Sequence, residues 1–122
     1  MPCDFLTVER YDKIVLAKVT KDRLLDPISI NALADELNSL VDKHMHISLI
    51  LELSEVSFLS SAMLGKLVAV YKNVIKLSKG RMAITGVKPA IMPLFKITQL
   101  DKMMQFAPDA QEVILLYRRK PL

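Results

Sequence analysis

Glycine is scarce in this chain of 122 residues: Gly65, Gly80 and Gly86 stand alone and far apart. Three isolated glycines cannot build a phosphate-cradling loop, and they leave no flexible linker to divide the chain. Cysteine is reduced to Cys3. A lone cysteine forms no internal disulfide, so a reducing cytoplasm is the expected setting, and no base is evident beside it to activate a catalytic thiol. Tryptophan is absent, and the three tyrosines and four phenylalanines are scattered. Long apolar runs are missing too. The longest unbroken ones are five residues, such as Leu67 to Tyr71, too short to span a bilayer, and no secretory signal is expected at the N-terminus. Nor is there a strong excess of one charge: 17 Lys and Arg face 13 Asp and Glu, a net +4. A nucleic-acid binder shows a stronger basic excess clustered with aromatics, so direct nucleic-acid contact is not expected. The mild excess suits acidic partners.

What is present is ample material for a core. Hydrophobic residues make up 52% and charged residues 25% of the chain, enough apolar surface to offset the ordering entropy. The length fits one domain, residues 1–122. Phe5 to Arg10 alternates apolar and polar positions and Ile14 to Val19 is β-branched-rich, which predicts two strands joined by a short hairpin at Tyr11-Asp12-Lys13. Asp26-Pro27 has the form of a helix cap followed by proline at the first helical position. Ile30, Leu33, Ala34, Leu37, Leu40 and Val41 then follow at helical spacing. Ile47 to Leu53 has one wholly apolar face, and Ile50 adds an apolar residue to the other. Such a strand suits the middle of a sheet covered on both sides.

The longest helical pattern opens at Ser60-Ser61. Its stripe is Leu64, Leu67, Val68, Tyr71, Val74 and Ile75, widened by Met63, Val70 and Leu77. Lys66, Lys72, Lys76 and Lys79 lie opposite, a basic face that reads as solvated surface, and Gly80 fits the residue just past the helix end. Met82 to Thr85 predicts a further strand, Pro89 to Ile97 a short helix with Pro93 in its first turns, and Met103 to Phe106 a last short strand. Asp109 with Glu112 resembles a capping box before the apolar run Val113 to Tyr117. Strands alternating with about four helices predict an α/β layered domain. Its sheet should be mostly parallel, with an antiparallel strand at the N-terminus.

Few residues carry chemistry. His44 and His46 sit two apart without a neighbouring cysteine, which reads as two surface histidines and no metal site. Ser60 and Ser61 lack the Gly-x-Ser-x-Gly elbow of hydrolases, and neither a cofactor nor an enzymatic activity is expected. The pair is nevertheless placed at a helix mouth after a buried strand. Serine there is a preferred cap, and the same free amides would stabilise a phosphate by about 0.3–1 kcal/mol.

The stretch Leu49 to Gly65, LILELSEVSFLSSAMLG, resembles the signature of the STAS domain as found in bacterial anti-sigma-factor antagonists. The family pattern is an apolar strand, then Val-x-Phe-[Ile/Met], then Asp-Ser-[Ser/Thr]-Gly-Leu-Gly opening a helix. Val56, Phe58, Leu59, Ser61, Leu64 and Gly65 match it. Gly80-Arg81-Met82, Lys88-Pro89-Ala90 and Leu94 to Leu100 resemble the family's later strand and helix, and Leu25-Asp26 resembles its Leu-Asp step. The resemblance implies a regulatory binding module of the STAS fold. Its partner would be an anti-sigma factor that is also a serine kinase, and a phosphatase would reset the switch. By position the phosphorylated residue is Ser61, with Ser60 the second candidate. Asp26, Ser60, Ser61, Ala62, Met63 and Lys66 would form the partner surface, Met63 serving there as an adaptable contact or else plugging the core. A phosphate adding roughly −1.5 to −2 charge would break the desolvated interface. The chain departs from the pattern where Ser60 replaces the family's Asp and where Ala62 and Met63 replace the small hydroxyl residue and Gly. The loss of that Asp also fits a constitutive scaffold that is never phosphorylated.

Overall fold

A computed structural model describes residues 4–121; Cys3 lies outside the described residues. A hairpin opens the chain. β1 (Leu6–Tyr11) and β2 (Ile14–Val19) pair antiparallel from Leu6 with Val19 to Tyr11 with Ile14. The two-residue turn between them needs a left-handed residue, and Asp12 supplies it at φ 60°, a conformation that aspartate tolerates. The middle of β1, Thr7 to Arg10, is exposed. β3 (Arg23–Leu24) follows, then α1 (Pro27–Lys43), β4 (Ser48–Glu52) and β5 (Phe58–Leu59). Next come α2 (Ser61–Asn73), β6 (Arg81–Thr85), α3 (Met92–Ile97) and α4 (Leu100–Met103), and β7 (Gln105–Ala107) and α5 (Ala110–Arg119) end the chain. The main sheet has the order β1-β2-β4-β6-β7, all pairs after the hairpin being parallel, while β3 and β5 form a small parallel sheet of their own.

The layered α/β architecture expected from the sequence is thus present, with its antiparallel strand at the N-terminus and β4 in the centre. Period-two alternation sorts the strands onto two faces. Leu49 and Leu51 of β4, Val15, Ala17 and Val19 of β2, and Met82 and Ile84 of β6 enter one large core with α1 and α2. Ile14, Ile50 and Ala83 point the other way and meet Val113, Ile114 and Tyr117 of α5.

The helix ends show where local chemistry sets boundaries. Asp26 caps α1, its carboxylate accepting the Ser29 amide at 2.8 Å, with Pro27 at the first position, and all six residues of the expected stripe are buried. Asp109 caps α5 in the same way through the Glu112 amide at 2.9 Å. Asn73 at the end of α2 donates to Asn38 of α1 at 2.9 Å, tying the pair together.

Beyond Asn73 the chain departs from the expected continuous helix. Val74–Ser78 forms a π-helical turn, whose wider i to i+5 bonding shifts the phase of the stripe. Ile75 and Leu77 are therefore 42% and 57% exposed rather than buried. Ser78 takes the buried place: its hydroxyl donates to the His44 carbonyl at 2.6 Å and accepts the Ile47 amide at 2.8 Å. The left-handed residue at this end is Lys79, φ 56°, not Gly80. Gly80 is needed for another reason, since a Cβ there would lie 2.1 Å from the Ile47 carbonyl oxygen.

Among the described residues five helices form where about four were expected. The proline-containing helix starts at Met92 rather than Pro89, with Pro93 in the first turn, where a missing amide costs nothing. Met103, expected in a strand, ends the extra short α4, and β7 begins at Gln105.

Candidate functional site

The serine pair sits where β5 turns into α2. β3 and β5 run side by side, Arg23 beside Phe58 and Leu24 beside Leu59, and the Ser60 amide donates to the Leu24 carbonyl at 3.1 Å. This small sheet brings the starts of α1 and α2 to the same end of the molecule, so the caps Asp26 and Ser60 open neighbouring helices. Ser60 is the cap of α2. Its Oγ accepts the Met63 amide at 3.2 Å and its carbonyl accepts the Leu64 amide at 3.2 Å. Ser61, one residue on, is exposed, as is Ala62. The first-turn amides of Ser61 and Ala62 have no acceptor among the described residues. An anion on Ser61 would meet these donors and the positive end of the helix dipole.

Lys66 is exposed one turn further along α2. Its Cα–Cβ bond leans toward the helix start, as all helical side chains do. The Asp26 carboxylate is exposed, and the Ser29 amide that it accepts holds its pKa below the usual carboxylate range.

Met63 corrects one expectation. It is 0% exposed and belongs to the large core, so it offers no contact to a partner and acts as the plug beneath the helix mouth. At position three of α2 the side chain turns inward with Leu64 and Leu67, all three buried.

Other residues around the site were not expected from the sequence to be part of its surface. Ile28 is 83% exposed and Phe58 46%, with Leu25 also exposed. All three lie at the same end, on the first turn of α1, on β5, and just past β3. Ile28 falls off the spacing of the buried α1 stripe, which is the one sequence clue to its outward position. Two cations brace the patch. The Arg23 guanidinium lies 4.3 Å from the centre of the Phe58 ring, and Lys88 Nζ donates to Ser57 Oγ at 2.8 Å from the loop after β6. The result is an apolar surface with charged groups of both signs at the end of the fold that carries the exposed Ser61, fit for contact with another protein.

The histidines stand at the opposite end of the sheet. His44 Nδ1 lies 2.7 Å from the Leu40 carbonyl and His46 Nδ1 lies 3.4 Å from that of Lys79. Among the described residues no group of three or more His, Cys, Asp or Glu is placed to hold a metal ion. No described helix is long and apolar enough to cross a membrane.

A family model described as the STAS domain matches residues 6–113, the whole span from β1 into α5. This chain belongs to the STAS domain family. STAS domains of this kind are regulatory and non-enzymatic. Among solved structures, the chain is similar to an anti-sigma factor antagonist from Mycobacterium paratuberculosis at 26% identity. The match covers 93% of this chain and 92% of that one, with a TM-score of 0.79. It is similar to an anti-sigma-factor antagonist (STAS) domain protein from Planctomyces limnophilus at 16% identity, over 91% and 96% of the two chains and with a TM-score of 0.79. A third likeness is to the Bacillus cell fate determinant SpoIIAA in its phosphorylated form, at 14% identity, over 91% and 98% and with a TM-score of 0.69. At 16% and 14% identity, the last two speak to the fold. The first, at 26% identity, makes this STAS domain one that resembles an anti-sigma factor antagonist.

Proposed function

We propose that this STAS domain acts as a cytoplasmic, single-domain binding module for an anti-sigma factor that is also a serine kinase, and that phosphorylation of Ser61 switches it off. The observation that carries the reading is the division of labour between the two serines. Ser60 Oγ is committed to the Met63 amide, so modifying it would remove a cap that contributes about 0.5–2 kcal/mol. Ser61 is exposed beside two open amides, so a phosphate there is compatible with the helix. The partner surface is Asp26, Ser60, Ser61, Ala62 and Lys66, enlarged by Leu25, Ile28 and Phe58. Met63 supports it from below. A dianion at Ser61 would be desolvated when a partner covers this surface, a cost that favours release. A phosphatase would restore the binding form. That a protein of this fold, SpoIIAA, has a phosphorylated form adds support at the level of the fold.

The replacement of the family's Asp by Ser60 favours a second reading, a constitutive scaffold in a signalling assembly. One measurement separates the two: the affinity of wild type, Ser61→Ala and Ser61→Asp for a partner captured from cell extract. Under the switch reading Ser61→Ala binds like wild type. Ser61→Asp loses roughly tenfold or more, about 1.4 kcal/mol, with an unchanged melting temperature. Equal affinity for all three makes the protein the scaffold.

A further inference from the structure

The end of the sheet away from Ser61 holds a cleft of about 370 Å³, a size that suits a small molecule. It lies between the β1–β2 turn, the starts of β4 and β6, and the last turn of α5. Its apolar walls are Tyr11, Ile14 and Tyr117, and Ser48 lies in its floor.

Charge singles this cleft out. Lys13, Arg81 and Arg118 line it against one carboxylate, Asp12. Arg81 is half-buried, yet every acceptor it meets among the described residues is neutral. Its Nε donates to Ser48 Oγ at 2.8 Å, and its two terminal nitrogens donate to the Lys120 and Tyr117 carbonyls. The guanidinium also lies 3.9 Å from the centre of the Tyr117 ring. Among the described residues the sole ion pair is Lys18 with Glu55, 3.1 Å apart, so none of the three cleft cations has a carboxylate partner. A guanidinium carries five N–H donors. Three are spent on the protein, which fixes the group in place, and two remain. A cation already locked in one geometry loses little entropy when it binds an anion, and partial burial strengthens the attraction.

We infer that this cleft binds a small organic anion: one phosphate or carboxylate carried on an apolar body. The acid group meets Lys13, Arg118 and the free donors of Arg81. The apolar body covers Ile14 and the tyrosine walls. The inference is independent of the switch at Ser61, which lies at the other end of the strands.

The test uses phenyl phosphate, inorganic phosphate and phenol as probes in parallel titrations of the ¹⁵N-labelled chain. Phenyl phosphate is expected to bind more tightly than either of the others. Amide shifts should centre on Lys13, Ser48 and Arg81 and be absent at Ser61 and Ala62. The double variant Lys13→Ala with Arg118→Ala removes two exposed cations without touching the bonds of Arg81. It should weaken phenyl phosphate roughly tenfold at an unchanged melting temperature, and added salt should weaken the wild type in the same direction. Several results overturn the proposal: inorganic phosphate binding as well as phenyl phosphate, phenol doing so, shifts that centre on the α2 start, or an affinity indifferent to the double variant.

Discussion

Beneath α1 and α2 the sheet presents Leu49, Leu51, Met82 and Ile84 to a core that draws on nearly every element. On the other face α5 sets Val113, Ile114 and Tyr117 on a smaller cluster of Ile14, Ile50 and Ala83, with Tyr11, Leu16 and Ala107 partly buried around it. The first face is held by broad apolar burial, which is non-directional and spread over many side chains. The second has less apolar contact and adds a specific fastening, since Arg81 reaches from β6 to the last carbonyls of α5. A cation at that position also complements the negative end of the helix dipole. The same sheet thus carries one helical layer held mainly by broad apolar burial and one whose smaller apolar contact is supplemented by the hydrogen bonds of Arg81.

The comparison breaks most visibly at Met63. Met63→Glu would bury a carboxylate without a partner in the large core, at a cost of several kcal/mol. Thermal unfolding followed by circular dichroism should show the variant largely unfolded at room temperature. A melting temperature within a few degrees of wild type would move Met63 out of the core. On the lesser face, Arg81→Met removes three hydrogen bonds but keeps the apolar stem, and should cost about 1–3 kcal/mol. Hydrogen exchange should then rise in α5 while β4 stays protected. Equal loss of protection in both would show that α5 is not separately held.

Tyr117 sharpens the contrast through pH. Burial pushes its phenol up to about 12, whereas in the unfolded chain it ionises near 10. The folded state therefore binds the proton more tightly. Its contribution is complete below about pH 10 and is lost as pH rises through 12, a change of about 2–3 kcal/mol at most. Urea unfolding of Tyr117→Phe across that window should lack this alkaline decline, and an identical decline in the variant would assign it elsewhere. The smallest effects belong to the α2 mouth on the broad face. Ser60→Ala should cost about 0.5–2 kcal/mol as a lost cap, and Ser61→Ala less than about 0.5 kcal/mol. The reverse order in urea unfolding would exchange the roles of the two serines.

The elements with strong periodicity were legible in the sequence. The α1 stripe, the strand at β2, the two-faced β4 and the caps Asp26 and Asp109 all follow from spacing and side-chain chemistry near in sequence. The features that were not legible depend on contacts distant in sequence. β3 is two residues long and exists because Leu24 lies beside Leu59. The π turn places Ser78 under the His44 carbonyl and the Ile47 amide, and no helical period announces that exchange. At the candidate site, the position of Ser60 and Ser61 at the helix mouth was legible from their order after the strand. Which way Met63 points was not, because a large apolar residue in a first turn can face either side. Nor was Phe58 recognisable as outward-facing, since it lies between the buried Val56 and Leu59, whereas Ile28 gave itself away only by falling off the α1 stripe.

The exposed middle of β1 has a consequence for how the protein behaves in crowded solution. That strand ends the sheet on one side, with unpaired backbone groups available to a second chain. Glu9 and Arg10 stand along it, and charges on such a margin oppose strand-to-strand stacking between molecules. The far margin is protected differently, because β7 is only three residues long and gives a stranger little to grip. Both margins of the sheet thereby resist strand-to-strand polymerisation.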